Sequence, residues 1–381
     1  MYATNFIIMS DGSLWGCGMN NYGQLGIGSK QSNPVYGWQL ISAEKWIKVC
    51  GSLYHTLAIK SDGTLWSWGN NSCGQLGTGD YMERLIPTQI GSGKWIDISI
   101  GERHSAAISE ERKLYTWGDN TFGQLGLGDF SIRNAPTMTS IDRCYKVSCG
   151  KDHTLITRVE SKDLMGCGRN DTFQLGQNNT NNYNSFVVIS NGVIEFSGGT
   201  YHTVFIKKDG SLYGCGSRIV GELRLPTYPK YATTPILLDS SYKWKKIICN
   251  DHTTAGLRKQ NEDCIVLEWF GYGIGENPEF LSDSCYDFWF SWSGICYIDY
   301  NGMLKGQGYG WFLGLGSLDY FEDFVELEVL PIKTRVGYKN DWRWDYFKNY
   351  RNYPIGTKNN WVWGRSGNAF ILNNKKEFKI C

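Results

Sequence analysis

Several things are missing from this sequence, and each absence narrows what the chain does. No stretch approaches the roughly 20 consecutive apolar residues that a membrane span requires, so no membrane segment is expected. The opening "MYATNFIIMSDG" has no basic leader and already reads as a strand and turn, which predicts no signal peptide and a cytoplasmic chain. Lys and Arg number 38 against 37 Asp and Glu, and neither end carries a basic tail, so nucleic acid is not an expected partner. No CxxC pair argues for zinc, no triad order or paired carboxylates argue for catalysis, and nothing calls for a cofactor or metal. The expectation is a protein that is not an enzyme.

What is present is a repeat. "GQLGIG" at 23 to 28 returns as "GQLGTG" at 74 to 79 and "GQLGLG" at 123 to 128, each time after an aromatic strand such as "TLWSWG" (64 to 69). Phosphate-binding loops need a helix after the glycines or a Gly-Lys-Ser/Thr ending, and neither is found here. The hexapeptide therefore reads as a structural loop. The glycines that close the aromatic strands, Gly18, Gly69, Gly118, Gly168 and Gly216, are 51, 49, 50 and 48 residues apart. Such a period defines a repeat architecture over the whole chain, 1 to 381, as one domain.

Each unit contains three legible strands, as in "KWIKVCG" (45 to 51), "HTLAIKS" (55 to 61) and "TLWSWG". The last two are joined by a hairpin at Asp11-Gly12, Asp62-Gly63, Asp209-Gly210 or Asn301-Gly302. A fourth strand fits around 35 to 41, 87 to 90 and 186 to 189. Four antiparallel strands in about 50 residues make a β-propeller blade. All five histidines, His55, His104, His153, His202 and His252, take one position before the second strand, where each is expected to cap backbone in its own blade. His252 lies 19 residues before Gly271 instead of 14 or 15, which places an insertion, "RKQNED", at 258 to 263. Of the 12 cysteines, Cys17, Cys167, Cys215, Cys50, Cys149 and Cys249 fall in register and read as small buried thiols in a reducing compartment.

Beyond residue 270 the pattern decays. Gly294 stands where the histidine would be, and 318 to 360 is a divergent segment dense in aromatic and charged residues. The end, "NWVWGRSGNAFILNNKKEFKIC" (360 to 381), aligns with 45 to 68 and places Asn368 at the histidine position. The count of half-blades leaves one hairpin surplus. Seven blades, with N- and C-terminal strands joined to close the ring, is the expected all-β fold, and eight is the alternative.

The pattern from Gly51 to Gly79, "G-x-x-x-H-T-L-A-I-x-x-D-G-x-L-W-x-W-G-x-N-x-x-G-Q-L-G-x-G", resembles the repeat of the regulator of chromosome condensation family. That resemblance implies a seven-bladed propeller. The family's roles include nucleotide exchange on small GTPases, chromatin docking, light sensing and scaffolding, so a fold alone does not choose among them. Exchange factors of the family place an acidic residue just before a repeat histidine, and Asp152 in "CGKDH" and Asp251 in "CNDH" match that spot. No prying hairpin interrupts the first five repeats. Plant photoreceptors of the family carry Trp in a "GWRHT" element, which this chain replaces with "GSLYHT", "IGERHS" and "GGTYHT".

Two partner-binding surfaces are therefore expected. One is the ring of residues before the histidines, Tyr54, Arg103, Asp152, Tyr201 and Asp251; the other is Trp342, Arg343, Trp344, Tyr346 and Tyr350 in the divergent segment, read equally as a decayed blade. The function expected is a non-enzymatic protein-interaction scaffold. The alternatives are an exchange factor for a small GTPase and a structural subunit of a large assembly such as a virus particle.

Overall fold

In a computed structural model, the described residues are 4–9, 11–226 and 228–259, with the strand segments 265–271, 275–282, 285–291, 294–299, 304–309, 320–326, 361–364, 370–371 and 379–380 beyond them. Their strands form seven four-stranded antiparallel sheets arranged as the blades of a propeller. Blade two shows the plan: first strand Trp46–Gly51, second His55–Lys60, third Leu65–Gly69 and fourth Arg84–Gln89. Blade one is built from both chain ends, because Trp361–Gly364 pairs with Thr4–Met9 as its first strand. The ring has seven blades, and the surplus hairpin is the separate pair Phe370–Ile371 and Lys379–Ile380. Thr4–Met9 already holds the second-strand place in blade one, so the end of the chain has no blade to extend. Asn368 lies outside the described residues, as does much of 318 to 360; within that segment, Tyr320–Glu326 is the outer strand of blade seven.

The core lies between blades. Phe6, Ile8 and Leu25 of blade one pack with Trp46, Val49 and Trp68 of blade two, and Leu57 and Leu65 of blade two with Trp95, Ile98 and Trp117 of blade three. A single blade is a twisted sheet with two apolar faces, and it buries them only against its neighbours.

The hexapeptide is an interblade clasp. The carbonyl of Gln24 accepts the Thr56 hydroxyl at 2.8 Å and the Trp68 indole N–H at 2.8 Å, both from blade two. Gln75 repeats this with Ser105 (2.7 Å) and Trp117 (2.9 Å) of blade three. In the next two junctions Gln124 accepts from Thr154 (2.7 Å) and Cys167 Sγ (3.4 Å), and Gln174 from Thr203 (2.7 Å) and Cys215 Sγ (3.4 Å). Two of the in-register cysteines thus stand where other blades place an indole donor. Glycine is required because Gly77 has φ of 72° and an added Cβ would sit 2.7 Å from Trp117 Nε1. The last glycine of each hexapeptide donates its N–H to the outer strand of the next blade, Gly28 to Leu85, Gly79 to Asn134 and Gly128 to Asn184, at 2.8–2.9 Å. Those N–H groups serve the fold and do not cradle a phosphate.

A second device couples the inner strands. In blades two to seven the first strand is bulged near its start, and the residue that follows the bulge is charged: Lys48, Asp97, Lys146, Glu195, Lys246 and Asp287. The signs alternate around the ring. Ion pairs Lys48–Asp97, Lys146–Glu195 and Lys246–Asp287 join blades two to three, four to five and six to seven. Asp97 also accepts the Val147 N–H of blade four at 3.1 Å. Seven positions cannot alternate in sign without one clash between like charges. The closing strand Trp361–Gly364 avoids it by pairing without a bulge and carrying no charge.

Lys48 and Asp97 are nearly excluded from water, with side chains 3% and 12% exposed, so removing one partner strands the other. Asp97→Ala is expected to lower stability by about 3–5 kcal/mol in urea denaturation, and Lys48→Met/Asp97→Leu to restore much of it. A loss below about 1 kcal/mol for the single variant would show that the pair is not part of the interblade junction.

Candidate functional site

The histidines line one face of the disc, where first strands pass to second strands and third strands to the clasp loops. Four of them do not cap backbone in their own blade. His55 Nε2 meets Ser105 Oγ at 2.9 Å, His104 meets Thr154 at 2.9 Å, His153 meets Thr203 at 3.3 Å and His202 meets Thr254 at 2.9 Å, each partner belonging to the next blade. Each of these hydroxyls donates to a clasp-loop carbonyl, so it accepts from imidazole Nε2–H and fixes that nitrogen as the protonated one. Burial lowers the pKa to about 3 for His55 and His153 and about 4 for His104 and His202. For His104, His153 and His202 the glycine three residues ahead leaves room for the ring: a Cβ on Gly150 would strike the His153 imidazole.

His252 does not share that position. Thr253 pairs with Gly271 as His55 pairs with Gly69, and Asn250 N–H bonds Thr253 O as Gly199 N–H bonds His202 O. His252 therefore aligns with Tyr54, Arg103, Asp152 and Tyr201, and Asp251 with Leu53, Glu102, Lys151 and Thr200. The sequence reads "DHTT" at 251 to 254, and two adjacent threonines hid the one-residue offset. Asp251 is thus not equivalent to Asp152; it accepts the Thr200 hydroxyl of blade five.

The face carries two runs of aromatic and charged side chains in contact. In the first, Tyr22 and Tyr54 rings lie 5.0 Å apart and the Arg103 guanidinium sits 5.4 Å from the Tyr54 ring. Its pKa is raised, first by the hydrogen bond to Tyr54. In the second, Arg169 bridges Asp152 (3.2 Å) and Asp171 (2.7 Å) and lies 5.0 Å from the Phe122 ring and 5.6 Å from that of Tyr201. The Tyr201 and His252 rings lie 5.3 Å apart, tilted by 35°, and His252 Nδ1 meets Glu222 Oε1 at 3.5 Å. Burial and the neighbouring Glu102 raise the pKa of Asp152 despite Arg169. For Glu222 burial works against ionisation, but hydrogen bonds, first that from His252, outweigh it and hold the pKa at about 2.

Tyr54, Arg103, Asp152 and Tyr201 are thus brought to one face. Sequence reading missed Tyr22, Phe122, Arg169 and Glu222, whose clasp-loop positions read as turns. Trp342, Arg343, Trp344, Tyr346 and Tyr350 lie outside the described residues.

The class of protein is a seven-bladed, all-β propeller with four antiparallel strands per blade and its ring closed by both chain ends. Its repeat matches the regulator of chromosome condensation (RCC1) repeat at residues 11–59, 62–108 and 113–157. Residues 11 to 157 thus carry RCC1-type repeats, and the chain is similar to the regulator of chromosome condensation of Xenopus laevis, 32% identical over 83 residues, which are 20% of this chain and 19% of that protein. The chain is 34% identical over 80 residues to the ultraviolet-B receptor UVR8 of Arabidopsis thaliana, a match that spans 21% of this chain and only 18% of that protein. Among solved structures it is similar to human WBSCR16, with a TM-score of 0.72, 19% identity and coverage of 86% and 94% of the two chains. It is similar also to Prp20p of Saccharomyces cerevisiae, with a TM-score of 0.69, 18% identity and 85% coverage of each. At those identities the structural likeness shows the fold alone.

Neutral buried histidines make the ring acid-sensitive. Their folded pKa values lie below the ordinary 6.5, so the stability they contribute is complete above that value and is lost as pH falls toward 3 to 4. His104→Gln keeps a donor for Thr154 and binds no proton. The pH dependence of its unfolding free energy near pH 5 is expected to be shallower by about 1.4 kcal/mol per pH unit than that of the unmodified chain. An unchanged slope would show that His104 is not buried neutral.

Proposed function

We propose that the chain is a non-enzymatic protein-interaction scaffold that binds its partner through the histidine face. One observation carries this: side chains of aromatic, cationic and acidic type from blades one to six converge on that face in two runs, from Tyr22 to Arg103 and from Asp152 to His252. Tyr and Arg held in rigid contact lose little entropy on binding, and such residues dominate interface energies. The clasps and buried ion pairs beneath them keep the platform stiff.

A second reading, an exchange factor for a small GTPase, rests on Asp152, which is partly buried on this face with its pKa raised. Prp20p has been solved and described with its binding to Gsp1p and histones, and the present chain shares its fold. Either role uses the same face, and partner identity separates them.

The test is affinity capture with three proteins: the full chain, a Tyr54→Ala/Tyr201→Ala variant, and an Arg143→Glu/Glu160→Arg variant whose exposed ion pair lies at the opposite face. Capture is expected to be lost only in the first variant; loss only in the second would overturn the assignment of the face. For the exchange reading, the full chain should accelerate nucleotide release from a member of a GTPase panel and Asp152→Ala should abolish it. No acceleration from any member would remove that reading.

A further inference from the structure

Of three cations on the inner loops of the histidine face, Lys151, Arg169 and Arg103, two are ion-paired. Lys151 pairs with Glu102 at 2.9 Å, and Arg169 with Asp152 and Asp171. Arg103 is exposed, and among the described residues no carboxylate forms an ion pair with it; its neighbour Glu102 is turned to Lys151. Its guanidinium is nevertheless held in place over the Tyr54 ring and by the Tyr54 hydrogen bond. A cation fixed by an aromatic and left without a counter-ion is pre-organised for an anion from outside.

The rim of the same blades is apolar. The clasp loop of blade two ends in Tyr81 and Met82, and that of blade three in Phe130 and Ile132, all exposed, with Met82 at 68%. In blade four the corresponding loop is "NNTNN" at 178 to 182. Asp80–Arg84 and Asp129–Arg133 ion pairs, both 2.6 Å, brace the two apolar tips. Exposed aromatic and Met side chains on the same blades as an Arg without an ion pair have the composition of an interface centre.

We infer that the footprint on this face is the sector of blades one to three, with Arg103 and Tyr54 as anchor, and that it takes a protein segment bearing a carboxylate flanked by apolar side chains. This rests on the reading of the histidine face as the binding face and narrows it to one sector and one partner chemistry. The carboxylate supplies the counter-ion that Arg103 lacks, and apolar flanks cover Tyr81, Met82, Phe130 and Ile132. Asp152 and Arg169, already satisfied by one another, lie outside the footprint.

The probe is a random-peptide phage library selected on the immobilised full chain, with selected peptides then titrated against variants whose melting temperatures match that of the unmodified protein. Selected peptides are expected to share Asp or Glu beside apolar residues. Their affinity should fall at least about tenfold with Arg103→Gln and with Tyr81→Ser/Met82→Ser, and hold with Asp152→Asn and Arg143→Glu. Selection of basic peptides, or of none, overturns the inference. Loss with Asp152→Asn but not Arg103→Gln overturns the sector while leaving the face; loss only with Arg143→Glu overturns both.

Discussion

The main-chain carbonyl of the clasp-loop glutamine is the point on which the ring depends. A carbonyl has two lone pairs, and at each of the first four junctions both are used by the following blade, one for a Ser or Thr hydroxyl and one for an indole or thiol. From the second junction onward the hydroxyl then accepts from a histidine of the blade before. Strand, loop and histidine are thus tied into a single unit that no blade completes by itself. Glycines are fixed in the loop because the next blade occupies the space a side chain would need, with an indole at Gly26 and Gly77, Phe186 at Gly126 and Pro235 at Gly176.

Divergence at blade five follows the same logic. The loop there reads "GELR" instead of "GQLG": the Glu222 carbonyl still accepts the Thr254 hydroxyl at 3.0 Å, while its side chain takes His252 and Arg224 reaches Asp239 at 2.8 Å. Arg224 holds φ of 57° where other repeats have glycine, and its ion pairs offset that backbone cost. The generic clasp is replaced by an ionic one, and His252 is freed from the interblade relay to lie against Tyr201. Function is free to vary on this face because the hydrogen bonds that secure it lie one layer deeper.

Alternating inner-strand charges give the ring a direction. A lysine inserted beside a lysine would leave two buried cations without counter-ions, so blades are discriminated by sign as well as by shape. The odd blade is the one assembled from both ends of the chain. Its first strand pairs without a bulge and its residues, Trp361 to Gly364, carry no charge that could oppose Asp287 or Lys48.

The repeat, its period, the four strands per blade and the closure by both ends were legible in the amino-acid order, because each depends on local patterning: a 2-residue alternation, Asp-Gly turns and glycines at fixed offsets. The fourth strand was read shorter than it is, since outer strands are half exposed and alternate weakly, as in Arg84–Gln89. The histidine partner, the place of His252 and the meeting of Arg169 with Asp152 and Tyr201 were not legible. Each joins residues 17 to 52 positions apart, Asp152 and Arg169 across neighbouring strands of blade four and the others through the packing of one blade on the next, and pairing register across strands is set by hydrogen bonds that leave no local mark. By itself the sequence determined that blades would form, and the structure decided between seven and eight. Only the tertiary structure decided which side chains meet on the face, because that depends on how much each blade is rotated against its neighbour, and the rotation is fixed by buried contacts between blades.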